Sequence, residues 1–178
     1  KYKDIISAIN RKIEEQKITS TPKVIAVSKT FGLAKILPLI EYGHLDYGEN
    51  KVQEAIEKWS DIKLEKPNIK LHLIGKLQTN KVKHAVKIFD FIHSVDSLKL
   101  VTKIADEQQK QNKNVKLFIQ VNIGNEEQKS GVKVDQINEL LILSKKLNLN
   151  VIGLMCIPPV NEEPSRYFRE IKLLNKSL

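Results

Sequence analysis

Apolar residues recur along the chain in two alternating rhythms. One is the three-to-four-residue spacing of an amphipathic helix; the other is a short continuous apolar run bounded by polar loops. Residues 3–17 open with the helical rhythm: Ile5, Ile6, Ile9 and Ile13 share a face, with Lys, Arg and Glu opposite. A loop at Thr19–Pro22 leads to Val24-Ile25-Ala26-Val27, a run typical of a parallel strand buried on both faces. A helix is expected over 34–42, ending before Gly43. The alternation then repeats. Expected strands at 45–47, 71–74, 91–94, 115–121 and 151–155 precede expected helices at 51–60, 80–86, 97–111, 135–147 and from 165 to the end.

Six strand-then-helix units predict an α/β fold, a parallel sheet covered by helices, either doubly wound or closed as a barrel. A complete eight-unit barrel typically needs about 200 residues or more, and this chain has 178. No repeat, linker or low-complexity segment divides it, so residues 1–178 are read as one domain.

Composition narrows the partners. No apolar run approaches the roughly 18–20 residues that cross a bilayer, so no membrane partner is expected. Cys156 is the sole cysteine and cannot form an internal disulfide, which points to a reducing, cytoplasmic setting. Within Leu154-Met155-Cys156-Ile157 it reads as a small buried hydrophobe. The net charge is +9, but only Arg11, Arg166 and Arg169 among the 30 basic residues are arginines. Base readout leans on arginine forks, and the lysines are scattered rather than interleaved with aromatics. They are read as a solvated surface with no nucleic-acid partner. The stretch Lys76, Lys81, Lys83, His84 and Lys87 is the best local support for the opposite view. His44, His84 and His93 show no ligand spacing with one another or with Cys156, so no metal is expected. Dinucleotide, phosphate-loop and serine-hydrolase fingerprints are missing.

In either architecture ligands bind where strands end. Those positions hold Ser28-Lys29-Thr30, Gly48-Glu49-Asn50, Gly75 to Asn80, Ser94-Val95-Asp96, Asn122-Ile123-Gly124 and Met155 to Pro159. Such small, amide and hydroxyl residues suit a polar small-molecule pocket. Lys29 stands out, because a lysine partly desolvated at a pocket rim loses its charge more easily and its neutral amine attacks aldehydes. Asn50 could cap the next helix or bind a ligand. His72, alternating with Leu71 and Leu73, reads first as a core residue.

Taken together the loops resemble those of the YggS/PROSC group of pyridoxal 5'-phosphate (PLP) homeostasis proteins. The resemblance rests on Val24–Thr30, Tyr47–Glu54, Leu71–Lys81, His93–Ser97, Gln120–Asn122, Lys129–Val132 and Gly153–Pro158, in the family's order. It implies a (β/α)8 TIM-like barrel of the alanine racemase N-terminal domain type. The family's Ser-Met-Gly-Met-Ser and Val-Arg-Ile-Gly segments do not occur here, so the last two strands and the phosphate cup are expected to be absent. Lys29 matches the lysine that holds PLP as a Schiff base, and Asn50, His72 and Met155 match positions lining the same pocket. The implied role is a monomeric PLP carrier that buffers the cofactor or delivers it to apo PLP-dependent enzymes, and is not itself an enzyme. The alternative is a weak PLP-dependent amino-acid racemase or decarboxylase.

Overall fold

The computed structural model describes residues 1–177. Its helices and strands alternate as α1 (Tyr2–Glu15), β1 (Ala26–Val27), α2 (Leu33–Glu41), β2 (Asp46–Glu49), α3 (Val52–Glu65), β3 (Lys70–Leu73) and α4 (Val82–Ile88). They continue as β4 (Phe91–Val95), α5 (Leu98–Gln111), β5 (Lys116–Val121), α6 (Ile137–Lys146), β6 (Val151–Cys156) and α7 (Pro164–Lys176). Short 3₁₀ turns at Thr79–Lys81 and Val134–Gln136 lead into α4 and α6.

The strands form one parallel sheet in chain order, β1 to β6. A doubly wound sheet reverses its strand order at a switch point. Here every strand joins on the same side of its predecessor, so the arrangement is that of a barrel wall, and all strand C-terminal ends face one way.

Strand alternation sorts side chains onto two faces. Toward the helices point Tyr47, Leu71, Leu73, Ile92, Leu117 and Ile119, all fully buried. Trp59 of α3 packs its ring 4.7 Å from Tyr47. Each such side chain stabilises the fold by about 1.5–3 kcal/mol on burial. The other face carries Asp46, Gly48, His72, Phe91, His93 and Phe118, which line the barrel interior. A Cβ on Gly48 would sit 3.1 Å from both Ile25 and Ile74, so glycine lets three strands close up there.

Three expectations need correction. The ladder of β1 covers Ala26–Val27 rather than 24–27, because β1 is an edge strand paired only with β2, which itself begins at Asp46. Helix α3 runs on to Glu65, five residues beyond its expected end, with half-buried Ile62 extending the packed face; it stops just before Pro67, which disfavours helix at the preceding residue. Cys156 is only half-buried, and burial still pushes its thiol pKa upward. Val27 at the start of the mouth and Ile157 just after β6 are 48% and 53% exposed, so apolar surface is open at both sheet edges.

Candidate functional site

The ladder between β1 and β2 continues past its formal end: the Ser28 amide donates to the Gly48 carbonyl at 2.9 Å. The chain then turns. Phe31 N–H donates to Ser28 O at 3.2 Å, closing a β-turn with Lys29 and Thr30 at its centre. Thr30 has φ +64°, the left-handed value for which glycine is usual at that position. Lys29 itself is exposed. The expected partial desolvation of its amine is therefore not found among the described residues, where the side chain of Lys29 is exposed.

A buried ionic network sits behind this turn. Lys58 Nζ donates to Ser28 O at 2.8 Å, to Glu49 Oε1 at 2.9 Å and to Glu54 Oε1 at 3.1 Å. Its side chain is 8% exposed and that of Glu49 is 0% exposed. Glu49 Oε1 also accepts from Ser28 Oγ at 2.7 Å and from Trp59 Nε1 at 2.9 Å. Glu54 Oε1 accepts the Thr30 N–H at 2.7 Å. That N–H bond and the Lys58 ammonium hold the Glu54 carboxyl below its ordinary pKa.

A cavity of about 290 Å³ lies at the strand C-terminal ends. Asn50, Gly75, Lys76, Gln120, Lys129 and Ser130 are among its lining residues. Two approaches shape it. A Cβ on Gly75 would fall 2.4 Å from the Asn50 carbonyl oxygen, so the β2 and β3 loops touch backbone to backbone. The Asn122 side chain clasps Glu126 through Nδ2 to its carbonyl (2.8 Å) and Oδ1 from its N–H (3.1 Å), folding residues 122–131 over the end of β5. Lys129 is anchored to the Pro158 carbonyl at 3.0 Å.

Lys29 and Asn50 both follow the C-terminal ends of neighbouring strands: Val27 pairs with Gly48, and the Ser28 N–H still bonds the Gly48 carbonyl. Met155 pairs with Gln120, a residue of the cavity wall. His72 lies deeper, 2% exposed, below this cavity rather than in its lining. Its Nε2 meets Asp46 Oδ1 at 3.0 Å and its Nδ1 meets His93 Nε2 at 2.9 Å. Burial is the main cause lowering the pKa of His72 and takes His93 down to about 4, with His72 adding to the second shift. Both rings are therefore neutral near pH 7. The bonding then assigns the protons: His93 Nε2–H donates to His72 Nδ1, and His72 Nε2–H donates to Asp46. Phe91 stacks on His72 at 4.2 Å and Phe118 on His93 at 4.4 Å, which excludes water from the chain.

Sequence reasoning missed the Glu49–Lys58–Glu54 network and the His72–His93 pair. The i,i+4 spacing of Glu54 and Lys58 was a visible signal for the first. The second depends on strand register, which the sequence does not show directly.

This geometry, a parallel barrel wall with a lysine turn after its first strand, is that of a known class. The chain belongs to the alanine racemase N-terminal domain family, whose sequence model matches residues 6–176. Within that family it groups with the pyridoxal phosphate homeostasis proteins, as the loop resemblance implied. It is 38% identical over 160 residues to the protein of that name from Aquifex aeolicus, an alignment covering 88% of this chain and 69% of the relative. PipY of Synechococcus elongatus PCC7942, solved with PLP bound, superposes with a TM-score of 0.80 at 30% identity, over 95% of this chain and 81% of that one. Alanine racemase of Clostridium difficile 630 shares the fold alone: TM-score 0.68 and 15% identity, over 96% of this chain and 46% of the enzyme. Among the described residues no helix is long and apolar enough to cross a membrane.

Proposed function

We propose that this chain binds PLP at the C-terminal ends of its strands, covalently on Lys29, and buffers it or delivers it to PLP-dependent enzymes without robust catalysis. The observation that carries this reading is the placement of Lys29. It is an exposed amine on a tied-down turn at the strand C-terminal ends, the end of the sheet at which Asn50 lines a cavity. When bound, PLP supplies an aldehyde, an anionic phosphate and an aromatic ring. The residues present suit these groups. Lys29 would hold the aldehyde carbon through its amine nitrogen, with loss of one water, in a linkage that hydrolysis would reverse, as a carrier requires. Lys76 brings positive charge to the cavity, whereas Lys129 is paired with Glu126 and the Pro158 carbonyl; Asn50, Gln120 and Ser130 offer hydrogen bonds to a polar ligand. Met155, beside Gln120, offers an apolar contact for a ring. His72 does not touch the cavity and supports its floor through the chain to Asp46 and His93. The chemistry of a free cofactor store also fits the relatives' name, which is homeostasis rather than that of a reaction.

The test is a visible spectrum of the purified protein with PLP, followed by borohydride reduction and peptide mapping, for wild type and Lys29→Ala. A new absorption band with reduced label on Lys29, lost in the variant, is expected. Label spread over surface lysines in both proteins would sink the reading. The carrier role has a separate test: rapid exchange of an amino acid's α-hydrogen with solvent deuterium on the loaded protein would favour an enzyme.

A further inference from the structure

We infer that Lys58, acting with Glu49 and Glu54, is a positioning group for Lys29, fixing the turn that presents its amine to a small aldehyde ligand. This rests on the reading of Lys29 given above, and it assigns a task to three residues that do not touch the ligand cavity.

The turn holds a costly backbone conformation. Thr30 is one of five non-glycine residues with positive φ; three of the others are Asn112, Asn125 and Asn148, a residue type that tolerates the left-handed region, and the fourth is Lys17. Thr30 alone is β-branched, the type for which that region is a genuine outlier. Such a conformation persists only where its surroundings over-determine it. Here they do so through charge. Glu54 accepts the Thr30 amide, and Lys58 bonds the carbonyl of Ser28, so the two residues flanking Lys29 are each held by a side chain of α3. Ser28 is held a second time, through its hydroxyl, by Glu49.

The network is also placed where a surface salt bridge would not be. Exposed pairs contribute little because water competes for them. Lys58 and Glu49 are almost wholly withdrawn from water, and all three protons of the ammonium have acceptors: a backbone carbonyl of the turn and two carboxylates. A lysine whose full donor set is spent on the two sides of one turn holds that turn more rigidly than it stabilises the helix bearing it. Lys29 sits between the two anchored residues. Its backbone is fixed while its side chain remains in solvent, free to meet an aldehyde and to release it.

The test compares wild type, Glu54→Gln, Glu54→Ala and Lys58→Met. Amide exchange at Thr30 and Phe31 is followed first without ligand. Each protein is then titrated with PLP, reduced with borohydride and mapped, at a temperature well below its unfolding midpoint. Glu54→Ala should speed Thr30 exchange at least about tenfold, since local opening sets that rate. It should weaken PLP binding about tenfold, the scale of one charge-assisted hydrogen bond, with reduced label spreading from Lys29 to other lysines. Glu54→Gln keeps an oxygen for the Thr30 amide and should rescue both readouts to within about threefold of wild type. A folded Lys58→Met should behave as Glu54→Ala; if it does not fold, the Glu54 pair decides. Unchanged affinity and unchanged labelling of Lys29 in Glu54→Ala, whether or not its melting temperature falls, would overturn the positioning role and leave the Lys29 reading standing. Absence of Lys29 labelling in the wild type would overturn the Lys29 reading itself, and this inference with it.

Discussion

Two groups of buried polar side chains lie on opposite faces of the same sheet and are satisfied in different ways. On the helix side, Glu49 and Lys58 pair in a nearly dry place, with Ser28, Trp59 and Glu54 supplying further hydrogen bonds. On the interior side, His72 and His93 meet only each other, one carboxylate and two aromatic faces, and burial drives both to the neutral form. The comparison teaches that depth alone does not decide how a polar group is accommodated. The number of partners able to replace water does. The ionic group stands behind the Lys29 turn, where backbone must be held; the neutral chain fills the barrel floor, where stacking is enough.

The largest expected effect comes from breaking the ionic group. Lys58→Met leaves Glu49 buried without its cation, and removing one partner of such a pair costs about 3–5 kcal/mol. Urea unfolding at pH 7 measures it. The double variant Glu49→Gln with Lys58→Met removes both charges and should recover much of that loss, as a buried pair replaced together is often near neutral. If the double variant is no better than the single, the cost lies in lost packing and the ionic description is wrong.

The neutral chain should show itself through pH. In the unfolded protein an imidazole takes its proton near pH 6.5, whereas folded His93 does so only near 4. Between those values the unfolded state binds more protons. Stability is therefore fully present above about pH 6.5 and falls as pH drops toward 4. From neutral pH to pH 5 the loss attributable to one such group is on the order of 2 kcal/mol. His93→Phe keeps an aromatic face against Phe118 and should flatten this dependence; an unchanged slope would mean that His93 titrates normally. The Glu54 carboxylate works in a lower window with the same sign: its lowered pKa adds stability above the ordinary carboxylate range and loses it as pH falls through the folded value.

The contrast also explains what was legible in the sequence. The six strand-and-helix units could be read because the strands are short and rich in apolar residues between polar loops, as at Leu71–Ile74 and Val115–Val121. The positions of Lys29, Asn50 and Met155 at strand ends followed from the rule that ligands bind there. The i,i+4 spacing of Glu54 and Lys58 was visible, but the burial of neither group was legible. Lys58 stands in a helix rich in charged residues and looks like solvated surface; its burial depends on Ser28 and Glu49, 30 and 9 residues away. His72 and His93 are 21 residues apart and meet only because β3 and β4 are neighbours in the sheet. Burial of a polar group is a property of partners, and partners at that separation are set by topology.

The smallest predicted effect sharpens the comparison at the turn itself. Replacing Thr30 by Asn removes the β-branch while keeping a residue type that this chain already uses at three left-handed positions. Relief of the strain should stabilise the protein by up to about 1 kcal/mol. In a Glu54→Ala background the amide of residue 30 is no longer held, the turn can relax toward an unstrained φ, and the same substitution should gain less. Urea unfolding of the four proteins in this double-mutant cycle gives the difference as a coupling energy. A coupling of zero would mean that Glu54 does not hold the strain. A positive coupling of even about 0.5 kcal/mol would tie the left-handed backbone of Thr30 to the carboxylate of α3, and so connect the buried charges to the turn that bears Lys29.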